Sequence, residues 1–206
     1  MKTFTKEMQD AVTPVKAIEL LKEGNRRFLE KSEFERDLLK QASETTAGQF
    51  PFATILSCID SRASAELIFD QGIGDIFSIR IAGNVLNDDI IGSMEFACKV
   101  AGSKLIVVLG HTHCGAVKGA CDHVELGSLT GLLDKIQPAI EKETTETERN
   151  SSNPSFVKKV IDLNVKEVSS LIGEKSPILR EMIESGEIGV IGGVHDIATG
   201  EVKFFE

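Results

Sequence analysis

The chain has 206 residues, of which 41% are hydrophobic and 27% charged, and its formal net charge is −9. This length suits one substantial domain with its own core. The acidic balance argues against nucleic acid as a partner, because phosphate binding needs a basic face. No basic amphipathic segment or apolar run of spanning length indicates a membrane. The start of the sequence lacks an apolar export segment, so we expect a cytoplasmic protein whose four cysteines serve as thiols or metal ligands.

The first half of the chain alternates helix and strand. Thr13 followed by Pro14 predicts a helix start, and apolar residues at helical spacing continue it to Gly24, where we expect a kink or an end. The segment "FATILS" reads as a buried strand, and "SAELIFDQG" reads as a helix that Gly72 stops. The segment "DIFSIRIA" predicts the second strand.

The second half continues this alternation. Asp88 or Asp89 is expected to cap a helix through "IIGSMEFACKVAG", and "KLIVVLG" predicts the third strand. Two helical segments follow, separated by "EKETTETERNSSNP", which we expect to be a helix end and loop with a solvated acidic face. The tail predicts two short strands joined by a turn. The whole pattern predicts one α/β domain with a mainly parallel central β-sheet flanked by helices.

Two unusual segments follow predicted strands, where ligands bind in parallel sheets. Cys58 comes directly after the first strand, in "LSCIDSR", and His111 and Cys114 come after the third, in "HTHCG". If these strands are near neighbours, the three side chains converge. Two thiolates and one imidazole form a recognised catalytic zinc combination that leaves one coordination position open.

Each part of this constellation also has an ordinary interpretation. Cys58 alone is typical of a small buried residue, and Asp60 with Arg62 alone is typical of a weak surface ion pair. The combination at two strand ends favours a metal site instead. In that site Asp60 can accept a hydrogen bond from a metal-bound water, and Arg62 can hold the carboxylate and keep it ionised.

The motifs "CIDSR" and "GHTHCGAVKGA" resemble the zinc signature of the beta-class carbonic anhydrases. The similarity extends to "LLKEGNRRFLE", "GQFPFATILSCIDSR", "ELIFDQGIGDIFSIRIAGN" and "VIGGVHDIATGEVKFF", and so covers nearly the whole chain. The resemblance implies one domain over residues 1–206, with an N-terminal helical arm at 1–48 and an α/β zinc core at 49–206. It also implies reversible hydration of carbon dioxide to bicarbonate and a proton by zinc-bound hydroxide, with one Zn²⁺ per subunit.

The resemblance assigns roles to individual residues. The zinc ligands are expected to be Cys58, His111 and Cys114, beside the dyad of Asp60 and Arg62. Three further residues are implied to bind substrate: Gln49, which reaches across a dimer interface, Phe77, an apolar residue of the pocket, and Gly115, through its backbone N–H. The family implies a homodimer, possibly a homotetramer.

Asp60 has two possible positions in this family. It can serve the water at an open zinc site, or it can turn and occupy the fourth coordination position itself. In some members the closed form is stabilised by bicarbonate in a separate pocket that uses Trp and Tyr, and this sequence contains neither residue. We therefore predict the open arrangement near neutral pH. Ala63 and His195 depart from the family's usual valine and tyrosine.

Other candidates carry less weight. His113 is the better proton-shuttle candidate and His123 the weaker, although an ordinary exposed histidine is the simpler interpretation of both. Cys98 and Cys121 are expected to be structural thiols. Two alternative functions stay open: hydrolysis of a related molecule such as carbon disulfide, and a zinc-containing bicarbonate sensor with little turnover.

Overall fold

The central element is a five-stranded sheet of order β2-β1-β3-β4-β5. The structure is a computed structural model that describes residues 3–205, so the two ends of the predicted span 1–206 lie outside the described residues. Strands β1 to β4 are parallel, and β5 runs antiparallel to β4. This confirms the predicted α/β class with a mainly parallel sheet. The strands are β1 (Ala53–Ser57), β2 (Ile76–Arg80), β3 (Leu105–His111), β4 (Gly189–His195) and β5 (Val202–Phe204).

Helices surround the sheet; three of them precede its first strand in the chain, and the others lie between strands. They are α1 (Lys6–Asp10), α2 (Pro14–Glu30), α3 (Leu38–Glu44), α4 (Ala65–Ile68), α5 (Asp88–Glu95), α6 (Gly115–Cys121), α7 (Gly127–Leu133), α8 (Gln137–Lys142), α9 (Pro154–Lys175) and α10 (Pro177–Glu184). Within residues 3–205, no helix combines the length and apolar character needed to cross a membrane.

The sheet is buried on both faces, which explains why β1 and β3 read as uninterrupted apolar runs. Ile55 and Val107 pack on one face with Leu21 of α2, while Leu56 and Val108 pack on the other with residues of α9 and α10. Every residue of β1 and β3 is buried. Rigid packing on both sides therefore fixes the ends of these two strands.

Helix α2 begins as predicted but continues past Gly24. The Thr13 side chain accepts a hydrogen bond from Lys16 N–H, and Pro14 occupies the first turn. The expectation of a kink or end at Gly24 is wrong, because the helix runs on to Glu30. Glycine is needed there for packing: an added Cβ would lie 1.8 Å from the Phe69 carbonyl oxygen.

Three further local expectations are corrected. Asn87, rather than Asp88 or Asp89, caps α5, since its side chain accepts from Ile90 N–H. The helical segment after Cys114 is broken into the short helices α6, α7 and α8. The acidic stretch that follows is not wholly a solvated face: Glu143 is only 3% exposed and accepts hydrogen bonds from Thr145.

A buried ion-pair cluster joins α2 and the segment after it to the segment that follows α4. Helix α4 ends before Gly72, and Asp70 then adopts a left-handed conformation with its side chain only 1% exposed. Arg27 donates to this carboxylate at 2.5 Å, and Arg36 contacts both its carboxylate and its carbonyl oxygen. Burial raises the pKa of the Asp70 carboxyl, but the hydrogen bonds from Arg36 and Arg27 outweigh it and lower that pKa below its usual value.

Substituting Asp70→Asn tests this cluster, since asparagine also tolerates the left-handed backbone. We expect D70N to lower the free energy of unfolding at pH 7 by about 3 kcal/mol, because it removes the buried carboxylate that the Arg27 and Arg36 guanidinium groups share. The carboxylate stabilises the fold above its unfolded pKa of about 4, and this contribution disappears as the pH falls through the lower folded-state pKa. The difference between D70N and wild type should therefore shrink in acid.

Urea titrations of both proteins from pH 7 down to pH 3 measure this effect. The matched control is Asp10→Asn, which removes a solvent-exposed ion pair with Lys6 and should leave stability nearly unchanged. Equal stability of D70N and wild type at pH 7 would contradict the prediction.

Candidate metal centre

Three side chains converge at the carboxyl end of the sheet. Strands β1 and β3 are direct neighbours, with Ser57 paired to Leu109, so Cys58 leaves β1 beside His111, the last residue of β3. Cys114 follows in the turn before α6. The candidate ligand atoms of Cys58, His111 and Cys114 lie within 4.8 Å of one another, and all three residues are buried. The two sulfur atoms are 4.0 Å apart.

The imidazole of His111 is oriented for a metal ion. Its Nδ1 lies 2.9 Å from the Thr112 carbonyl oxygen, which can only accept, so Nδ1 carries the proton. This tautomer leaves the Nε2 lone pair free, and Nε2 is buried with no hydrogen-bond partner among the described residues. A buried unpaired nitrogen beside two thiols fits a Zn²⁺ ion held by two sulfurs and one nitrogen.

The two thiols differ in their affinity for a proton. A hydrogen bond from the Cys114 thiol, together with contacts from His111 and the Gly83 N–H, lowers the pKa of Cys58. The same bond to the Cys58 sulfur, reinforced by burial, raises the pKa of Cys114. The hydrogen bonds that the Cys58 sulfur accepts, including one from the Gly83 N–H, favour its thiolate, which is the form that a metal ion binds.

Asp60 and Arg62 form a bidentate ion pair beside the three ligands. Arg62 Nε lies 2.9 Å from Asp60 Oδ1, and Nη2 lies 2.7 Å from Oδ2. The second carboxylate oxygen is also 4.0 Å from His111 Nε2. The hydrogen bonds from Arg62 hold the pKa of the Asp60 carboxyl well below its usual range. Asp60 therefore presents a permanent negative charge to the edge of the cluster.

Two residues that the sequence did not single out form hydrogen bonds to the loop after β1, which carries Cys58 and Asp60. Arg80, at the end of β2, donates from Nε to the Cys58 carbonyl at 3.0 Å and from Nη2 to the Asp60 carbonyl at 2.6 Å. The Gly83 N–H donates to the Cys58 sulfur at 3.3 Å. Neither contact has a sequence signal of its own, because both depend on how β2 pairs with β1.

The three residues implied to bind substrate lie in different places. Gly115 begins α6 next to Cys114, and an added Cβ would meet nothing within 4 Å. Gln49 precedes β1, whereas Cys58 follows it, so a five-residue strand about 16 Å long lies between them in the chain. Phe77 on β2 pairs with Thr54 near the start of β1. The sheet thus keeps Gln49 and Phe77 away from the cluster of their own chain.

The remaining candidate residues are not part of the cluster. His195 on β4 pairs with His111 and is buried, and burial together with His111 lowers its pKa. His113 is exposed and lines a cavity of about 320 Å³ between β3, α6 and α9. Burial raises the pKa of Cys98 to about 12 and of Cys121 to about 11, so both stay protonated thiols.

Comparisons with known proteins agree with this geometry. A family model described as carbonic anhydrase matches residues 53–202. Carbonic anhydrase 2 of Mycobacterium tuberculosis is 34% identical over 193 residues, covering 91% of this chain and 90% of the relative. The crystal structure of the b-carbonic anhydrase CafA of Aspergillus fumigatus has a TM-score of 0.73 at 25% identity, covering 92% of this chain and 89% of that chain. One of two tetrameric beta-carbonic anhydrases from Sordaria macrospora has a TM-score of 0.70 at 25% identity, covering 80% and 85%.

The family model spans most of the chain, and the relatives align along nearly its whole length. The resemblance of the two cysteine motifs is thus confirmed by the sequence of the full domain and by its fold. The residues expected to bind zinc form the one Cys–His cluster of metal-ligating geometry found in the part of the chain that the structure describes. This chain belongs to the beta-class carbonic anhydrases, a family of zinc enzymes that interconvert carbon dioxide and bicarbonate.

Proposed function

We propose that this protein catalyses the reversible hydration of carbon dioxide at a zinc ion held by Cys58, His111 and Cys114. The observation that carries the proposal is the buried, unpaired His111 Nε2 facing two thiols, with the Asp60 carboxylate 4.0 Å away. A structural zinc site would need a fourth protein ligand. A carboxylate held in an ion pair beside three ligands suits a catalytic site instead.

The zinc ion, when bound, lowers the pKa of water from 15.7 to about 7 and so makes hydroxide available near neutral pH. The chain supplies what the reaction needs besides the metal. Cys58, His111 and Cys114 fix the metal's position, and the packed ends of β1 and β3 hold them rigidly. The thiolates also offset the positive charge of the ion.

The dyad orients the attacking oxygen. Asp60 stays ionised beside Arg62, so it can only accept a hydrogen bond, and it takes one from the attacking water or hydroxide. That bond aims an oxygen lone pair at carbon dioxide. Arg62 occupies both carboxylate oxygens, and this supports the open arrangement, in which Asp60 does not itself bind zinc.

We propose that the functional unit is at least a homodimer, because the substrate-binding residues are divided between two chains. Gln49 and Phe77 lie at the amino half of the sheet, far from the Cys58 of their own chain. Strand β2 is an edge strand, and Phe77 lines an open groove of about 650 Å³ beside it. A second copy lying along this edge would receive Gln49 and Phe77 at its own metal centre, where its Gly115 N–H binds the same substrate.

Replacing Asp60→Asn tests the mechanism. The amide cannot form the ion pair with Arg62 and presents donors where the carboxylate accepts. We expect D60N to keep one zinc ion per chain and to lose about 10- to 100-fold in carbon dioxide hydration, measured by stopped flow. The matched control is Asp122→Asn, which removes an exposed carboxylate bonded to Ser151 and should leave hydration unchanged.

The outcomes separate the alternatives. Full hydration by D60N with full zinc would contradict the proposed role of the dyad. A zinc-loaded wild type that binds bicarbonate without hydrating carbon dioxide would indicate a sensor. A wild type that hydrolyses carbon disulfide but does not hydrate carbon dioxide would indicate the alternative substrate.

The shared site can be tested by complementation. We expect Gln49→Ala and D60N each to be weakly active as pure proteins. In a mixed dimer, the chain carrying the Gln49→Ala change keeps Asp60 and receives Gln49 from the D60N chain, so one complete site forms. Random co-assembly should restore about a quarter of wild-type hydration, since half of the dimers are mixed and each has one complete site.

Stopped-flow assays before and after co-refolding measure this recovery. The control is each variant co-refolded with itself, which cannot form a complete site. Activity of the mixture equal to the mean of the two pure variants would show that Gln49 does not serve a partner's site.

A further inference from the structure

A short loop lies against the Cys58 sulfur in an unusual conformation. Residues Ala82–Asn84 form a single tight turn after β2, in which Gly83 has φ 69° and Asn84 has φ 44°. Two consecutive left-handed residues are uncommon, and this region is strained for a residue other than glycine. Such a conformation persists only where the surrounding structure holds it in place.

Gly83 is held at both of its backbone polar groups. Its N–H donates to the Cys58 sulfur at 3.3 Å, and its carbonyl oxygen accepts from Asn164 Nδ2 at 3.0 Å. The position also favours glycine, because its φ of 69° lies in the left-handed region, where an L side chain is strained. The direction of the N–H toward the sulfur thus depends on a conformation that the Asn164 contact helps to fix.

Asn164 is a polar residue on the buried, apolar face of its helix. It lies on α9 with a 2% exposed side chain, among the buried residues Ile161, Val165 and Val168. A buried amide in an apolar face costs free energy unless it forms hydrogen bonds. Helix α9 packs against β3 and β4, so Asn164 reaches the Gly83 loop from a rigid support.

We propose that Asn164 is a positioning residue of the metal centre, which fixes the backbone conformation at Gly83 by bonding its carbonyl oxygen, so that the Gly83 N–H donates to the Cys58 sulfur. This inference rests on the proposed function, since it takes Cys58 as a zinc ligand. A hydrogen bond to a ligand sulfur withdraws electron density from it and fixes its direction. Asn164 therefore acts on the metal through Gly83, without touching the ion or the substrate.

The test uses the variant Asn164→Leu, which keeps the branched shape of the side chain but has no donor, and reads the metal centre with Co²⁺ in place of zinc. Sulfur-to-cobalt charge-transfer absorption reports the electron density on the thiolates. Without the N–H bond the sulfur donates more strongly, so this band should move to longer wavelength in N164L. Zinc affinity, measured by chelator competition, should fall about 10- to 100-fold, because the Cys58 sulfur is no longer held in the direction that binding requires and this loss outweighs its stronger donation.

The matched control is Asn25→Leu. Asn25 is also buried, and its Nδ2 donates to the carbonyl oxygens of Ile68 and Gly200 at 3.1 and 2.9 Å. Neither bond involves a residue of the Cys58–His111–Cys114 cluster. N25L should lose stability and leave the cobalt band and zinc affinity unchanged. A band that N164L leaves in place, in folded cobalt-loaded protein, would overturn the inference.

If N164L does not fold, a measurement on the wild type still tests the bond between the Gly83 N–H and the Cys58 sulfur, on which the inference depends. With ¹¹³Cd bound, the Gly83 amide proton should show a scalar coupling to the metal through the Cys58 sulfur, and its absence would overturn the inference. The proposed function fails separately: cobalt-loaded wild type without any sulfur-to-cobalt band would show that the thiolates do not bind the metal. That result would overturn both proposals, whereas an unshifted N164L band would overturn only this one.

Discussion

The parallel pairing of β1 with β3 is the constraint on which the metal centre depends. The pairing sets Ser57 opposite Leu109, and the chain therefore delivers Cys58 and His111 to the same edge of the sheet. Both strands are buried on both faces, so a change of register would expose or misplace a whole layer of the core. The geometry of the three ligands is thus stabilised by the same packing that stabilises the fold.

Ion pairs and hydrogen bonds position the loop after β1, which packing alone does not fix. The loop after β1 leaves the core, and Arg80 holds its Cys58 and Asp60 carbonyl groups while Arg62 holds the Asp60 carboxylate. Gly83 adds an N–H bond to the ligand sulfur. The Arg80 and Gly83 contacts come from β2 and the turn that follows it, so the edge strand both orients the loop of its own chain and, in our proposal, faces a second copy. The two roles link assembly to the chemistry of the site.

The sequence predicted that Cys58, His111 and Cys114 converge because chemistry and periodicity coincide there: Cys58 directly follows one buried strand, and His111 ends the neighbouring one. It also predicted the α/β class and the start of α2. The rest depends on contacts distant in the chain. Gly24 has the local signature of a helix end, but the approach of Phe69 is what requires it. In the sequence, Arg80 and Asn164 resemble ordinary strand and helix residues. Only the tertiary structure shows that Arg80 contacts the loop after β1 and that Asn164 contacts the turn at Gly83.

Stopped-flow hydration of carbon dioxide, on wild-type protein of measured zinc content at pH 7 and pH 9, tests the central claim most directly. With one zinc ion per chain, we predict hydration at both pH values, loss of activity when zinc is removed and recovery when it is returned. Activity at pH 9 alone would show that Asp60 closes the site near neutrality. Full zinc occupancy without hydration at either pH would contradict the account.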